Sequence, residues 1–283
     1  MVKILEAKTI RDEAINRLKK EVEGFSLKPT LAIIQIGDNE ESGAYIKQKK
    51  IFAEKIGAVV KHLEFSADVT QNQIINEIKN LNQDKTVHGI IVQLPLPKNF
   101  NEYEIIETID SSKDVDGLTS ISWKFLGQNS AEGLVPATAQ GILNLLNYYH
   151  IDLAGKHIVI VGRSMLVGKP TALLMINHNA TVTIAHSQTK NLQEITKQAD
   201  ILIVAIGKPK FIDASYVREG QIIIDVGINV GMNSDKKKVL CGDVNFEEVK
   251  DIVSAISPVP GGVGLMTVSA LFENLIKAQQ RKT

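Results

Sequence analysis

The sequence contains very little cysteine and tryptophan, and its charges cancel. Of 283 residues, one is a cysteine, Cys241, and one is a tryptophan, while 32 basic side chains balance 32 acidic ones. A single cysteine cannot form an internal disulfide or a cysteine metal cluster, which favours a reducing compartment. The zero formal charge argues against nucleic acid or an anionic membrane surface as a bulk partner. A small-molecule partner is therefore expected.

Long apolar runs are also missing. No stretch is long and apolar enough to span a bilayer, and the first 17 residues contain acids but no continuous apolar segment. This pattern predicts neither a signal peptide nor a transit peptide, and hence a cytoplasmic protein. The length allows two domains, each with its own core.

An apolar strand, residues 158–161, runs directly into the turn from Gly162 to Gly168. The common Gly-x-Gly-x-x-Gly pattern is absent, but a glycine-bracketed turn between a strand and a helix still lets backbone N–H groups approach a pyrophosphate. The next strand, 180–185, ends without the acid that NAD sites place on the ribose. Arg163 and Lys190, with the hydroxyl of Ser187, can instead meet a 2′-phosphate, which favours NADP. The alternative is a set of solvated loop residues.

Strands and helices alternate in both halves of the chain, which predicts parallel sheets covered by helices. The expected fold class is α/β with two domains, an N-terminal α/β substrate domain and a Rossmann-like NADP domain with a parallel sheet, and a cleft between them. We place the first domain at residues 1–120, joined by a C-terminal helix at 268–283, and the second at 138–267. The Lys236-Lys237-Lys238 run is expected to be a solvated hairpin tip.

Candidate catalytic residues lie in the first half. Tyr45 and Lys49 are four residues apart on a predicted helix, so their side chains share one face, and partial burial would make the lysine a useful proton carrier. A surface lysine whose stem covers apolar area is the alternative. Gln93 ends a predicted strand, at the end where ligands bind in open parallel sheets. The carboxylate of Asp116 could accept hydrogen bonds from adjacent N–H donors of a heterocycle. The segment around Asp116 does not fit a calcium loop, so no metal is expected.

Together these motifs carry a family resemblance. The chain resembles the bifunctional methylenetetrahydrofolate dehydrogenase/methenyltetrahydrofolate cyclohydrolase family through six motifs in the same order: Tyr45-x-x-x-Lys49, Val92-Gln93-Leu94-Pro95-Leu96-Pro97, Lys113-Asp114-Val115-Asp116-Gly117, Gly162-Arg163-Ser164, Asp225-Val226-Gly227-Ile228-Asn229 and Pro258-Val259-Pro260-Gly261-Gly262-Val263-Gly264. The resemblance implies NADP-dependent oxidation of 5,10-methylenetetrahydrofolate to the methenyl form, its hydrolysis to 10-formyltetrahydrofolate, and a homodimer.

The resemblance also implies a role for each site residue. Lys49 is the catalytic lysine, Gln93 its hydrogen-bonding partner and Tyr45 a wall that stacks on the folate. Asp116 anchors the pterin. Further contacts with substrate are implied for Leu94, Pro260, Gly261 and Gly262, and contacts with NADP for Gly162, Arg163, Ser164, Ser187 and Ile228.

The sequence departs from the family pattern at a few positions. Ala137 and Ala139 stand where cysteine and proline are usual, Leu265 replaces a proline, and Ser122 and Lys124 stand where asparagine and glycine are common. These changes remove no proton donor or acceptor assigned above. Two alternatives remain open: another two-domain NADP dehydrogenase, of the shikimate or amino-acid type, and a nucleotide sensor without catalytic activity.

Overall fold

The computed structural model of this chain describes residues 2–232 and 238–281 and divides the chain into two compact units. The six-stranded unit contains the N-terminal residues through Arg11 together with Thr138–Thr267. The three-stranded unit contains Asp12–Ala137 together with the residues from Val268 onward. Each unit combines a parallel sheet with helices, as the α/β alternation of the sequence predicts.

The helices of the described residues are α1 (Lys8–Glu23), α2 (Glu40–Ile56), α3 (Gln71–Gln83), α4 (Glu102–Glu107), α5 (Ser120–Gly127), α6 (Ala137–Tyr148), α7 (Gly168–Asn177), α8 (Leu192–Lys197), α9 (Phe246–Val249) and α10 (Val263–Gln280). The strands are β1 (Lys3–Ile4), β2 (Thr30–Ile36), β3 (Val59–Phe65), β4 (Gly89–Val92), β5 (His157–Val161), β6 (Thr181–Ala185), β7 (Ile201–Val204), β8 (Ile222–Asp225), β9 (Asn229–Met232), β10 (Lys238–Cys241) and β11 (Ala255–Ile256).

The large sheet has the strand order β1-β11-β8-β7-β5-β6, and all of its pairings are parallel. The chain places β6 on one side of β5 and then returns to place β7 on the other. This reversal of order leaves a crevice at the carboxyl ends of the strands, where open α/β sheets bind ligands. Val159, Leu202 and Ile223 are fully buried in the core on this sheet.

The small sheet has the order β3-β2-β4 and is covered on both faces. Alternate residues of β2 enter two different cores, because side chains alternate across a strand. Leu31 and Ile33 pack with Phe272 of α10, whereas Ile34 packs with Ile78 of α3. β2 is thereby held at the centre of its unit, and its neighbour β4 delivers Gln93 at the sheet's carboxyl edge.

The structure differs from the sequence-based boundaries at the N-terminus. The sequence pattern places residues 1–120 in one domain, whereas in the structure β1 pairs with β11 and so joins the large sheet. A two-residue strand carries too little periodicity to be recognised from sequence. The last helix also begins earlier than expected, at Val263, and takes in the end of the Pro258–Gly264 loop.

β9 and β10 form an antiparallel pair. Lys236 and Lys237 of the predicted hairpin tip lie outside the described residues. Within the described ranges, none of the helices has the length and apolar character required to cross a membrane.

Candidate functional site

A cavity of about 280 Å³ opens in the six-stranded unit at the carboxyl ends of β5, β6 and β7. Its lining comes from the segments that follow these strands: Val161, Gly162, Arg163, Ser164, His186, Ser187, Leu192, Ala205, Ile206, Lys208 and Phe211. The cavity therefore occupies the crevice that the reversal of strand order creates. We call it the nucleotide pocket.

Glycine is required at both ends of the turn that begins the pocket. Gly162 has a φ of +130°, and a Cβ there would overlap the carbonyl oxygen of Ala205. A Cβ on Gly168 would overlap the carbonyl oxygen of Gly162. The backbone is thus packed against its neighbours more closely than any side chain allows, and residues 162–164 of this turn line the pocket.

The side chains that line the nucleotide pocket suit a phosphorylated dinucleotide. Arg163 and Lys208 supply positive charge, Ser187 a hydroxyl, and Phe211 an apolar ring surface. The lining residues named above include no aspartate or glutamate, so no carboxylate would repel a 2′-phosphate. The pocket therefore fits NADP.

Two short hydrogen-bonded turns fix the polar side chains of the pocket. The hydroxyl of Ser164 accepts the N–H groups of Val167 at 3.1 Å and Gly168 at 3.4 Å, and so satisfies two N–H groups at the start of α7. The N–H of His186 donates to the hydroxyl of Thr189 at 2.9 Å, which shapes the turn that carries Ser187.

Some predicted cofactor contacts lie away from this cavity. Lys190 is exposed and does not line the pocket, and Ile228 is half-buried near Gly264 rather than in the lining. The Pro258–Gly264 loop belongs to the same unit and is tied down by the N–H of Ala7, which donates to the carbonyl of Gly261 at 2.8 Å.

A second candidate centre lies in the three-stranded unit, where Lys49 of α2 meets Gln93 at the end of β4. The Nζ of Lys49 donates to Oε1 of Gln93 at 2.8 Å, and the lysine is only 9% exposed. The Nε2 of Gln93 donates to the carbonyl of Leu94 at 2.9 Å, which orients the amide oxygen toward the lysine. Burial lowers the pKa of Lys49, and the negative charge of Asp116 opposes this shift. Its hydrogen-bond partner is a neutral amide, which does not offset the effect of burial as a carboxylate partner would, so this lysine releases a proton more readily than a solvated one.

Asp116 faces this lysine from the segment beside β4. Burial raises the pKa of Asp116, the charge of Lys49 opposes the rise, and the charge of Asp114 adds to it. The Asp116 side chain is half-buried, and within the described chain no donor is hydrogen-bonded to its carboxylate. Its two oxygens are therefore open to donors on a ligand.

Asp114 fixes the turn that carries Asp116, a role that sequence reasoning missed. Its buried carboxylate accepts the N–H groups of Gly117 at 2.9 Å, Leu118 at 3.1 Å and Thr119 at 2.8 Å, and the hydroxyl of Ser122 at 2.7 Å. Ser122, one of the departures from the family pattern, thus completes the hydrogen bonding of a buried carboxylate. The turn keeps its shape with serine at this position.

The remaining predicted residues of this centre lie on the expected elements. Tyr45 is half-buried on α2, one turn before Lys49, and Leu94 is half-buried immediately after Gln93. Among the described residues, no group of three or more His, Cys, Asp or Glu side chains has a metal-binding arrangement.

Lys208 and His186 of the pocket were not predicted. The available signal was their position, since each follows a strand of the large sheet at its ligand-binding edge.

Two protein-family models match almost the entire chain. The catalytic domain of tetrahydrofolate dehydrogenase/cyclohydrolase matches residues 5–116, and the NAD(P)-binding domain of the same enzymes matches residues 136–283. This chain belongs to the tetrahydrofolate dehydrogenase/cyclohydrolase family. The two matched regions contain the lysine centre and the nucleotide pocket, respectively.

Individual relatives match over nearly the full length. The bifunctional protein FolD of Agathobacter rectalis is 45% identical over 99% of this chain and 100% of its own. The crystal structure of bifunctional FolD from Campylobacter jejuni has a TM-score of 0.94 and 39% identity, with 100% of both chains covered. The Trypanosoma brucei enzyme, solved with NADP and an inhibitor, has a TM-score of 0.94 and 30% identity over 99% of this chain and 98% of its own.

These findings confirm the predicted family, the α/β fold class, the assignment as an enzyme and NADP as the cofactor. The alternative of a shikimate-type dehydrogenase has far weaker support. The shikimate 5-dehydrogenase of Thermus thermophilus is 12% identical with a TM-score of 0.54, over 89% of this chain and 100% of its own, which shows a related fold alone.

Proposed function

We propose that this enzyme oxidises 5,10-methylenetetrahydrofolate to 5,10-methenyltetrahydrofolate and then hydrolyses the methenyl product to 10-formyltetrahydrofolate, with Lys49 as the catalytic group of the hydrolysis. The observation that carries this proposal is a buried lysine amine, hydrogen-bonded to the neutral amide of Gln93, with an open carboxylate nearby. Membership of a family with both activities supports it.

In its neutral form, the amine of Lys49 serves both steps. A methenyl group carries a positive charge, and a neutral amine beside it repels this charge less than an ammonium would. In the hydrolysis, water adds to the methenyl carbon and loses one proton. The bond from that carbon to N5 then breaks as the remaining hydroxyl proton is transferred to N5, which leaves the formyl group on N10. Lys49 directs the water and takes its proton, and Gln93 fixes the position of the amine.

Asp116, Tyr45 and Leu94 bind the folate in this proposal. The open carboxylate of Asp116 accepts the amino group and a ring N–H of the pterin in a paired, charge-assisted contact. Tyr45 stacks on the aromatic part of the substrate from the same helical face as Lys49. Pro260, Gly261 and Gly262 contact substrate from the loop that precedes α10.

Gly162, Arg163, Ser164 and Ser187 would hold NADP in the nucleotide pocket, and we keep Ile228 as a contact outside its lining. When bound, NADP supplies an acceptor for the hydride that leaves the methylene carbon. Arg163 and Ser187 favour the 2′-phosphate because the lining contains no acid.

An absorbance experiment tests the proposed activity. The purified protein is mixed with 5,10-methylenetetrahydrofolate and NADP, and reduced nicotinamide and the methenyl chromophore are followed together. We expect reduced nicotinamide to accumulate while the methenyl signal rises and then decays faster than in enzyme-free buffer. Absence of turnover with this pair, or turnover with shikimate instead, would contradict the proposal.

We further propose that the enzyme is a cytoplasmic homodimer. The family resemblance supports the dimer, and the single cysteine supports a reducing compartment such as the cytoplasm. Analytical ultracentrifugation at micromolar concentration tests the assembly, and a sedimentation coefficient of a 31.0 kDa monomer would contradict it.

A further inference from the structure

Two buried carboxylates of the six-stranded unit lie outside the lining of the nucleotide pocket, and one of them is hydrogen-bonded to a segment that forms it. Asp225 ends β8, and Asp243 follows β10. Asp225 is 4% exposed and Asp243 is fully buried. Neither residue lines the pocket, and the function proposed above assigns neither of them a contact with substrate or cofactor.

The two carboxylate oxygens of Asp243 accept four hydrogen bonds. Its Oδ2 accepts the N–H groups of Ile206 at 2.7 Å and Gly207 at 3.0 Å. Its Oδ1 accepts the N–H of Lys208 at 2.8 Å and the side-chain amide of Asn229 at 2.9 Å. Three successive N–H groups of one turn therefore converge on one carboxylate. Two residues of this turn, Ile206 and Lys208, line the nucleotide pocket.

Asp225 in turn holds the backbone of Asp243. Its Oδ1 accepts the N–H groups of Asp243 at 3.0 Å and Gly227 at 2.9 Å, and its Oδ2 accepts the N–H of Val244 at 2.9 Å. Glycine is required on both sides of this arrangement. A Cβ on Gly242 would overlap the carboxylate of Asp225, and one on Gly227 would overlap that of Asp243.

Asp243 is the better residue to vary. Burial raises the pKa of Asp225 to about 7, against the effect of its three N–H donors and with a contribution from the charge of Asp243. A change at Asp225 would therefore alter a group that titrates near neutrality, whereas Asp243 is the carboxylate in direct contact with the 206–208 turn.

We infer that Asp243 is a positioning residue for nucleotide binding, which fixes the 206–208 turn so that Ile206 and Lys208 form the pocket wall before the cofactor arrives. A turn that is already ordered loses less conformational entropy when a ligand binds. Four charge-assisted hydrogen bonds to a carboxylate without solvent access are strong enough to hold it.

Asp243→Asn tests this inference because the amide has the same shape as the carboxylate but turns an NH₂ group toward N–H donors. We expect the dissociation constant for NADP, measured by calorimetry, to rise at least about tenfold through lost charge-assisted bonds. The KM for NADP should rise in parallel, while kcat at saturating NADP changes little. Hydrolysis of methenyltetrahydrofolate without NADP should be unchanged, since it needs no nucleotide.

Asp200→Asn is the matched control. Asp200 also accepts a backbone N–H, that of His157 at 2.9 Å, but at the amino ends of β5 and β7, away from the pocket. Its substitution should leave NADP affinity unchanged. Lys208→Met should weaken NADP binding in the wild-type enzyme but have a smaller effect in Asp243→Asn, because the turn that presents Lys208 is already loose.

Hydrogen exchange in the wild-type enzyme provides a measurement that does not depend on how any variant folds. The amide protons of residues 206–208 should be protected without NADP and gain little protection when it binds. Exchange of these amides at unprotected rates in the free enzyme would overturn the inference. So would a folded Asp243→Asn variant with wild-type affinity for NADP, or equal effects of Lys208→Met in both backgrounds.

Discussion

Replacement of Lys49 by methionine separates the chemistry of the buried amine from its packing. Methionine keeps the length of the side chain and fills the same buried space beside Gln93, but it cannot carry a proton. The substitution removes the 2.8 Å hydrogen bond to Gln93, whose Nε2 still donates to the carbonyl of Leu94. The variant should therefore fold and retain most of its folate affinity.

The expected loss follows from the role of the amine. Loss of a general acid or base typically slows a reaction by about 100- to 10,000-fold, or about 2.7–5.5 kcal/mol of barrier. We expect the hydrolysis of methenyltetrahydrofolate to fall by a factor in this range. The dehydrogenase step should also slow, because the amine helps to position the substrate.

The assay is the decay of methenyltetrahydrofolate with the spontaneous rate subtracted. Lys50→Met is the matched control, since Lys50 is the next residue on α2 but is exposed, with its Nζ 2.8 Å from Nδ1 of His62. The control should hydrolyse at close to the wild-type rate. If Lys49→Met also hydrolysed at the wild-type rate, Lys49 would have no part in the mechanism, and it would be a lysine whose role is packing.

Three further predictions concern the other groups. Arg163→Ala should weaken NADP binding about tenfold through a lost charge-assisted contact, with much less effect on NAD binding. Lys190→Ala should change the affinity for neither nucleotide. Equal weakening of both nucleotides by Arg163→Ala in a titration would refute the 2′-phosphate contact. Asp116→Ala should reduce both activities together, because both use the same folate anchor, and survival of either one at wild-type efficiency would remove that role. Asp116→Asn should shift the acidic limb of the hydrolysis pH profile, measured at saturating folate, to lower pH: the lost negative charge had raised the pKa of Lys49, so the amine stays neutral to lower pH. A limb that stays in place or moves upward would show that Asp116 does not act on the catalytic amine.

Sequence reasoning reached the parts of the structure that depend on local pattern. The alternation of apolar strands with helical segments predicts the parallel pairing found in both sheets, whereas the strand order and its reversal at β5 depend on contacts between distant segments. Lys49 and Gln93 could be placed at one centre because the first lies on a helical face and the second at a strand end. β1 could not be predicted, since its two residues are too few to show a pattern and form a strand only by pairing with β11.

The roles of the buried carboxylates could not be predicted from the sequence, for a different reason. Asp225 and Asp243 are 18 residues apart, and their partners are backbone N–H groups, which have no sequence signature. The same is true of Asp114, whose three N–H donors belong to the turn after it. The glycines at 227 and 242 are the only local trace, because they leave space for a neighbouring carboxylate.

The most direct test of the proposed function is a label-transfer experiment with 5,10-methylenetetrahydrofolate that carries two deuterium atoms on its methylene carbon. The enzyme is supplied with this substrate and NADP, and both products are analysed by mass spectrometry. The account predicts reduced NADP with one deuterium and 10-formyltetrahydrofolate that retains the other on its formyl carbon. Reduced NADP without deuterium would contradict it.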